Sequence, residues 1–334
     1  MVFLIQQTMI FAVPLMLVAL AGVCAERSGT INLALEGIMI MGAFIGVMTV
    51  RIFQNNGFVQ EKGQLLMLIS LLVAGIVGAI FSLLLGFSAI NLKADQTIGG
   101  TALNMLSPAL VLFFITMIVH QGSIGMLTGA SGSWFMIRPS TFGFESDHSF
   151  GIFDVFINKV YPSTYVCILV YVIVSIFLYK TKTGLRLRSC GENPQAADSL
   201  GINVYKMRYL GVILSGFLAG MGGFQYSLTV ANCTSNGAVA GYGFLALAVM
   251  IFGNWTPINI AFCSVLFGLF KCLSSTYATL DINGDGVYLL ANLGISSYVY
   301  RLLPYVVTLI VLAFTSKKSR VPKAEGIPYD KGAR

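Results

Sequence analysis

The chain has 334 residues, of which 56% are hydrophobic and only 10% are charged. Because ordinary globular domains carry about 25% charged residues, this composition excludes a water-soluble globular protein and indicates a polytopic membrane protein. The formal net charge of +7 does not indicate nucleic-acid binding, since the basic residues cluster in loops and after Ser316, as they do at the cytoplasmic flanks of membrane spans.

Nine segments of the chain are apolar enough to serve as membrane spans, each of which needs about 20 mostly apolar residues. The predicted spans are residues 4–24, 31–50, 65–88, 97–119, 163–179, 208–229, 241–253, 258–276 and 298–315. The seventh is short and bounded by glycines, so we expect a broken or re-entrant half-helix, which needs protein or water around its backbone. The predicted fold is all-α, with about nine transmembrane helices (eight to ten) in a domain of residues 1–316 and a basic tail at 317–334.

Lysine and arginine predict which loops face the cytoplasm. The loop at 180–208 carries six basic residues, so we expect it, like the tail, to be cytoplasmic. Four predicted spans separate the loop from the tail, which agrees with both lying on one side. Five spans precede the loop, which places the N-terminus and the loop at 120–162 outside. Arg51 and Lys62 would also lie outside, a small violation of the rule.

Two pairs of glycines are spaced one helical turn apart inside predicted spans. Gly42 and Gly46 form one pair, and Gly216 and Gly220 form the other. Small residues at this spacing allow helix backbones to approach closely. The spacing favours close packing within one subunit, and the alternative is a contact between subunits.

The polar loop contains the start and stop signals of a short helix. Asn193 is a favourable N-cap and Pro194 suits a first helical turn, while Gly201 can end the helix in the left-handed conformation. The segment QAADSLG (195–201) has the spacing of two short helices joined by a turn. We therefore predict a compact amphipathic surface on the cytoplasmic side; the alternative is a plain basic loop that only fixes topology.

Polar residues form two stripes in the predicted spans. Ser28, Asn32 and Glu36 are spaced at i, i+4 and i+8, which predicts one face of a helix. A charge is costly in hydrocarbon, so Glu36 is expected to face the bundle interior or water, or to pair with Arg27. The second stripe consists of Thr97, Thr101, Asn104 and Pro108. Such groups either line a path for a polar solute or hydrogen-bond between helices, at about 0.6–2 kcal/mol each.

The sequence lacks the motifs of several other functions. There is no G-x-x-x-x-G-K-[ST] and no H-E-x-x-H, so neither a P-loop ATPase nor a zinc protease is expected. The six cysteines are scattered, without a C-x-x-C pair, and we interpret them as small hydrophobic residues. Residues 281–286 match the first half of a calcium loop, but Asn292 stands where the closing glutamate is needed. We therefore predict no enzymatic activity, no metal site and no cofactor bound by this chain.

Four segments resemble one family of transport proteins. They are GENPQAADSLGI (191–202), ERSGTINLALEG (26–37), GGTALN (99–104) and GYGFLALAVMIFG (241–253). The first is similar to the coupling loop of ABC importer permeases, with Gln195 in place of the usual glutamate. Together, from about residue 10 to 315, they resemble the branched-chain amino acid, ribose and nucleoside branch of these permeases. The form of the second segment is closest to the nucleoside and simple-sugar members.

The resemblance implies a bacterial cytoplasmic-membrane complex that works by alternating access. Two permease subunits would form the path, two ATPase subunits would bind ATP and Mg on the cytoplasmic side, and an extracytoplasmic binding lipoprotein would deliver a nucleoside or simple sugar. The implied coupling surface consists of Glu192, Asn193, Pro194, Gln195, Ala196, Ala197 and Gly201. The candidate path residues are Asn32, Glu36, Thr101 and Asn104. Longer relatives have one more N-terminal helix, which favours a different, sibling chain as the second permease.

The competing hypotheses are a secondary transporter driven by an ion gradient and a passive channel. A proton-coupled carrier usually has several ionisable groups deep in the membrane. Here Glu36 stands nearly alone in the predicted spans, and neither alternative needs a coupling loop. The sequence therefore favours the ATP-driven importer, but it leaves the choice among nucleosides, bases and sugars open.

Overall fold

The computed structural model describes residues 2–55, 63–127, 132–137, 158–277 and 320–332, together with isolated positions between 296 and 309. The α-helices are α1 (Val2–Glu26), α2 (Leu35–Asn55), α3 (Gly63–Gly86), α4 (Gln96–Val119), α5 (Pro162–Lys180), α6 (Lys182–Glu192), α7 (Pro194–Ser199), α8 (Val204–Thr229), α9 (Tyr242–Phe252) and α10 (Pro257–Thr276). A π-helical turn at Phe87–Asn91 continues α3, and a 3-10 turn covers Gly132–Phe135. Two short strands, β1 (Ile124–Gly125) and β2 (Thr234–Ser235), pair antiparallel.

Seven of these helices are long and apolar enough to cross a membrane, and α9 is a shorter apolar helix. They correspond to the first eight predicted spans, so the prediction of an all-α polytopic membrane protein is confirmed. The ninth predicted span, 298–315, lies largely outside the described residues. Most of the loop at 120–162 and the calcium-like segment at 281–286 also lie outside them.

Helix α8 forms the centre of the bundle and packs against α1, α2 and α3. The predicted glycine pairs lie at these crossings. A Cβ atom added at Gly42 would lie 2.3 Å from the carbonyl oxygen of Gly220, and one at Gly216 would lie 2.5 Å from that of Gly78. Only glycine allows such backbone contact, so the pairs serve packing within one subunit, the interpretation that the sequence favoured.

Irregular backbone interrupts two of the passages of the chain through the bundle. Residues 27–34, between α1 and α2, are not helical, and α9 begins only after an irregular segment that follows α8. The prediction that Ser28, Asn32 and Glu36 share a helix face is therefore wrong. Local bonds explain the break: Ser28 donates to the carbonyl of Ala25, and Asn32 accepts from the N–H of Ala34. Side chains thus satisfy backbone groups that a helix would have used.

The helix ends gather at two opposite ends of the bundle. At one end, Trp255 donates to the carboxylate of Glu26, and Tyr179 donates to the carbonyl of Trp255. Helices α6 and α7 and the segment 320–332 lie at this same end, which we call the basic end. The strands β1 and β2 follow the far ends of α4 and α8. The half-helix predicted at 241–253 is confirmed as α9, which runs from inside the bundle to the basic end.

Candidate coupling surface and transport path

Helices α6 and α7 are joined to α5 and to each other by single residues. Thr181 separates α5 from α6, and its hydroxyl donates to the carbonyl of Phe177 while accepting from the N–H of Gly184. Asn193 separates α6 from α7, and its side chain accepts from the N–H of Ala196 at 3.0 Å. These short joints leave little slack between α7 and the spanning helix α5, whereas residues 200–203 separate α7 from α8.

The predicted boundaries of α7 are confirmed. Pro194 begins the helix, and Gly201 follows its end with a φ of 79°. The helix has one buried face and one exposed face, because Ala197 is 2% exposed whereas Ser199 is exposed. Gln195 and Ala196 are also exposed. The role of residues 192–201 in coupling remains a prediction, but the exposed face is accessible to another protein.

Helix α6 is tied to the irregular segment that follows α1. The guanidinium of Arg27 pairs with the carboxylate of Glu192 at 3.3 Å. Gly191 lies against the backbone of Arg27, where an added Cβ would be 2.4 Å from its carbonyl oxygen. Arg27 thus pairs with Glu192 and not with Glu36, which was the alternative partner. This contact connects the candidate coupling surface to the chain that leads into the bundle.

Glu36 lies at the point where two helices begin inside the bundle. It belongs to the first turn of α2, and its carboxylate accepts hydrogen bonds from the backbone N–H groups of Gly241 and Gly243 at 2.9 and 2.6 Å. These donors stand at the start of α9, where the helix dipole favours negative charge. In transporters, broken helices often point this end at an anionic substrate group. Here the protein supplies the anion itself.

The structure adds Lys271 to this region, a residue that sequence analysis missed. Lys271 lies on α10 with its ammonium 5.3 Å from the ring centre of Tyr242, and it interacts electrostatically with Glu36. The rings of Tyr242 and Tyr226 are 4.6 Å apart. A lysine within an apolar span is itself a signal of function, and it would have corrected the impression that Glu36 stands nearly alone.

Two of the three other candidate path residues form hydrogen bonds between elements of the bundle. Asn32 is fully buried and donates to the hydroxyl of Ser215 on α8 at 2.8 Å. Asn104 accepts from the N–H of Gly37 and donates to the carbonyl of Leu33. Thr101 is exposed and donates within its own helix. These bonds favour the alternative of interhelical bonding for the two asparagines.

No metal site is present among the described residues, where no group of three His, Cys, Asp or Glu side chains is placed to hold an ion.

Comparison with known proteins gives a consistent result. The model of the family described as the permease component of branched-chain amino acid transport systems matches residues 4–312. The guanosine ABC transporter permease protein NupQ of Bacillus subtilis (strain 168) is 37% identical, over 99% of this chain and 97% of the relative. The nucleoside ABC transporter permease protein NupC of Lactococcus lactis subsp. cremoris (strain MG1363) is also 37% identical, over 98% and 96%.

A third relative from the same Lactococcus strain, the nucleoside ABC transporter permease protein NupB, is more distant. It is 26% identical over 77% of this chain and 68% of its own length. No solved structure matches the chain. The family match extends over every described helix, including α6 and α7.

Proposed function

The chain belongs to the family of permease components of branched-chain amino acid transport systems, and we propose that it carries nucleosides into the cell. It is a membrane-spanning subunit of an ABC importer, located in the cell membrane, and works with an ATPase and a substrate-binding partner. The observation that carries the choice of substrate is the 37% identity to NupQ and NupC over nearly the whole chain. Both relatives are named for nucleoside transport.

The interior of the bundle suits an uncharged, partly aromatic solute. Tyr226 and Tyr242 are buried near the start of α9 with their ring centres 4.6 Å apart, and Glu36 already occupies the N–H groups that would otherwise attract an anion. We infer a path beside Glu36 and Lys271, whose opposite charges offset each other, which suits an uncharged nucleoside. Asn32 and Asn104 support its walls, and Thr101 lies on the exposed side of α4.

Coupling to ATP follows a continuous line through the described residues. The partner ATPase binds ATP and Mg and contacts the exposed face of α7, formed within residues 192–201. Movement of α7 reaches Arg27 through the Glu192 ion pair. From Arg27 the backbone leads to Asn32, which is hydrogen-bonded to α8. It then reaches Glu36 of α2, which accepts hydrogen bonds from the start of α9. Binding of ATP shifts the bundle between its outward-open and inward-open states, because the complex binds ATP with a different affinity in each state.

Variants of α7 test this coupling. Gly201→Pro is incompatible with the observed φ of 79°, because proline requires about −65°. We expect it to reduce uptake more than tenfold while ATP hydrolysis continues uncoupled and the protein still inserts. Asn193→Ala removes a cap worth about 1 kcal/mol and should lower uptake several-fold, whereas Asn193→Asp retains the acceptor and serves as its control. Normal uptake with Gly201→Pro would exclude a coupling role for this segment.

The sidedness of the chain follows from the same proposal. The basic end faces the cytoplasm, the C-terminus lies there too, and the N-terminus lies outside, where the substrate-binding lipoprotein delivers nucleosides. A reporter enzyme active only outside the cytoplasm should therefore work when fused before residue 1 and fail when fused after residue 334. The reverse pattern would overturn this orientation.

Uptake of radiolabelled nucleosides and ribose tests the function directly. Cells with and without the gene are compared after the proton gradient is collapsed and ATP is maintained. Nucleoside uptake that depends on the gene and survives the collapse is the expected result. Uptake that disappears with the gradient would instead support a secondary transporter, and uptake of ribose alone would move the substrate to simple sugars.

A further inference from the structure

The segment 320–332 folds back onto the basic end of the bundle; we call it the C-terminal strap. Its backbone bonds to both sides of the contact between α6 and the segment after α1. The N–H of Ala324 donates to the carbonyl of Gly191 at 2.8 Å, and the N–H of Gly326 donates to that of Gly29 at 3.3 Å. Further along, Asp330 pairs with Lys93 at 2.9 Å.

Tyr329 of the strap completes a small apolar core beneath α6 and α7. This core consists of Cys190 of α6, Ala197 of α7, Val204 of α8 and Tyr329. Tyr329 is 6% exposed, and its ring lies 5.3 Å from that of Tyr205. Each of the four buried residues thus comes from a different element, and the strap contributes the largest of them.

Helix α7 needs such external support. It has six residues and buries one side chain, Ala197. Isolated helices shorter than about 12 residues are marginal in water, so α7 holds its position through contacts with its neighbours. The aromatic side chain of Tyr329 lies in the same buried cluster as Ala197 and adds apolar contact to that offered by α6 and α8.

The contacts of the strap exceed what a basic tail needs to fix topology. A segment that acts by charge alone stays hydrated, as Lys323 and Lys331 do here. Ala324 and Tyr329, in contrast, are buried at 7% and 6% exposure. The strap also covers Arg208 of α8, which is 1% exposed and interacts electrostatically with Tyr329.

We propose that the C-terminal strap is a structural part of the coupling surface, and that Tyr329 is the positioning residue that sets α7 against α6 and α8. This inference rests on the proposed role of α7 in ATP coupling. Because the strap bonds to Gly29 as well as to Gly191, it moves with α6 and links that movement to the segment that leads to Glu36.

The test compares Tyr329→Ala, Tyr329→Phe and the exposed control Lys331→Ala in the full complex with its ATPase, second permease and binding protein in membrane vesicles. We expect Tyr329→Ala to lower the number of nucleosides transported per ATP hydrolysed about tenfold, without changing the concentration for half-maximal uptake. Tyr329→Phe keeps the ring and should restore coupling. Lys331→Ala should equal the wild type.

Cys190 provides a second readout that does not depend on transport. Its thiol is buried in the same core, and burial raises the pKa of the Cys190 thiol, so it should react slowly with a membrane-impermeant maleimide. Tyr329→Ala should increase the labelling of the Cys190 peptide at least fivefold in inserted protein, whereas Tyr329→Phe should not. Unchanged labelling would contradict the packing role of Tyr329, even if Tyr329→Ala proved poorly expressed.

The two proposals fail in different ways. If Gly201→Pro uncouples transport while Tyr329→Ala transports normally per ATP, the strap proposal is wrong and the role of α7 stands. If both variants retain normal coupling, both proposals are wrong. Equal losses in Tyr329→Ala and Tyr329→Phe would point to the hydroxyl group and overturn the packing argument.

Discussion

Glu36 lies in the first turn of α2 and accepts hydrogen bonds from two N–H groups at the start of α9, so one carboxylate stabilises the beginnings of two helices. Gly243 packs so closely that an added Cβ would lie 2.4 Å from the backbone nitrogen of Glu36. A charged residue is retained here because its partners are fixed backbone dipoles and the neighbouring Lys271.

Substitution of Glu36 should disturb both folding and transport. Each hydrogen bond to a charged group contributes about 1.5–3 kcal/mol, and Glu36→Ala leaves the N–H groups of Gly241 and Gly243 without this acceptor. For Glu36→Ala we expect a lower unfolding temperature of the purified protein and a loss of uptake of more than tenfold. Glu36→Gln should lie between Glu36→Ala and the wild type in both measurements.

Thr101→Ala is the matched control for Glu36. Its hydroxyl bonds only within α4 and is exposed, so uptake and unfolding temperature should stay within about twofold and a few degrees of the wild type. A Glu36→Ala protein with normal stability and uptake would show that the α2–α9 contact is dispensable.

At the scale of the helices, a helix boundary could be predicted from the sequence when the contacts that fix it lie within a few residues of it. The boundaries of α7 were predictable because Asn193, Pro194 and Gly201 act within a few residues of themselves. The start of α2 was not, because the irregular backbone before it is held by the hydrogen bond from Asn32 to Ser215, 183 residues away, in addition to the local bonds of Ser28 and Asn32. The proximity of Lys271 to Glu36 depends on the packing of α10, which no local pattern reports.

The strap is an element whose docking should depend on pH. Glu325 is half-buried in the strap, near Arg27 and the carboxylate of Glu26. Burial raises the pKa of Glu325 from 4.5 to about 7, against a lowering influence from Arg27. Between pH 4.5 and about 7, Glu325 is therefore protonated when the strap is docked and ionised when the strap is free. Docking is strongest below pH 4.5 and weakens as the pH rises to about 7.

Labelling of Cys190 measures this dependence. Ionisation of the thiol itself changes with pH, so the useful quantity is the ratio of labelling rates in the wild type and in Glu325→Gln, which cannot ionise at position 325. This ratio should rise from pH 5 to pH 8. A constant ratio would mean that Glu325 does not govern docking of the strap.

At the scale of the whole molecule, the order of crossings and the position of the strap agree. The strap reaches the same end of the bundle as α6 and α7, as expected if an even number of crossings separates them. The described residues contain three of those crossings, α8, α9 and α10. The fourth is the span predicted at 298–315, which lies largely outside the described residues; a crossing there would agree with the position of the strap.

The described part of the chain offers one α6–α7 pair, so the proposed complex with two ATPase subunits would need a second permease to supply the other pair. We expect this to be a sibling chain, since relatives named NupB and NupC occur in one organism; the alternative is a homodimer with a self-complementary interface. Co-expression of this chain with its ATPase and binding protein alone should give no uptake above background, and addition of the sibling should restore it. In the same cells, a tagged copy should retain the sibling but not an untagged second copy of itself. Uptake without the sibling, together with capture of the second copy, would establish a homodimer instead.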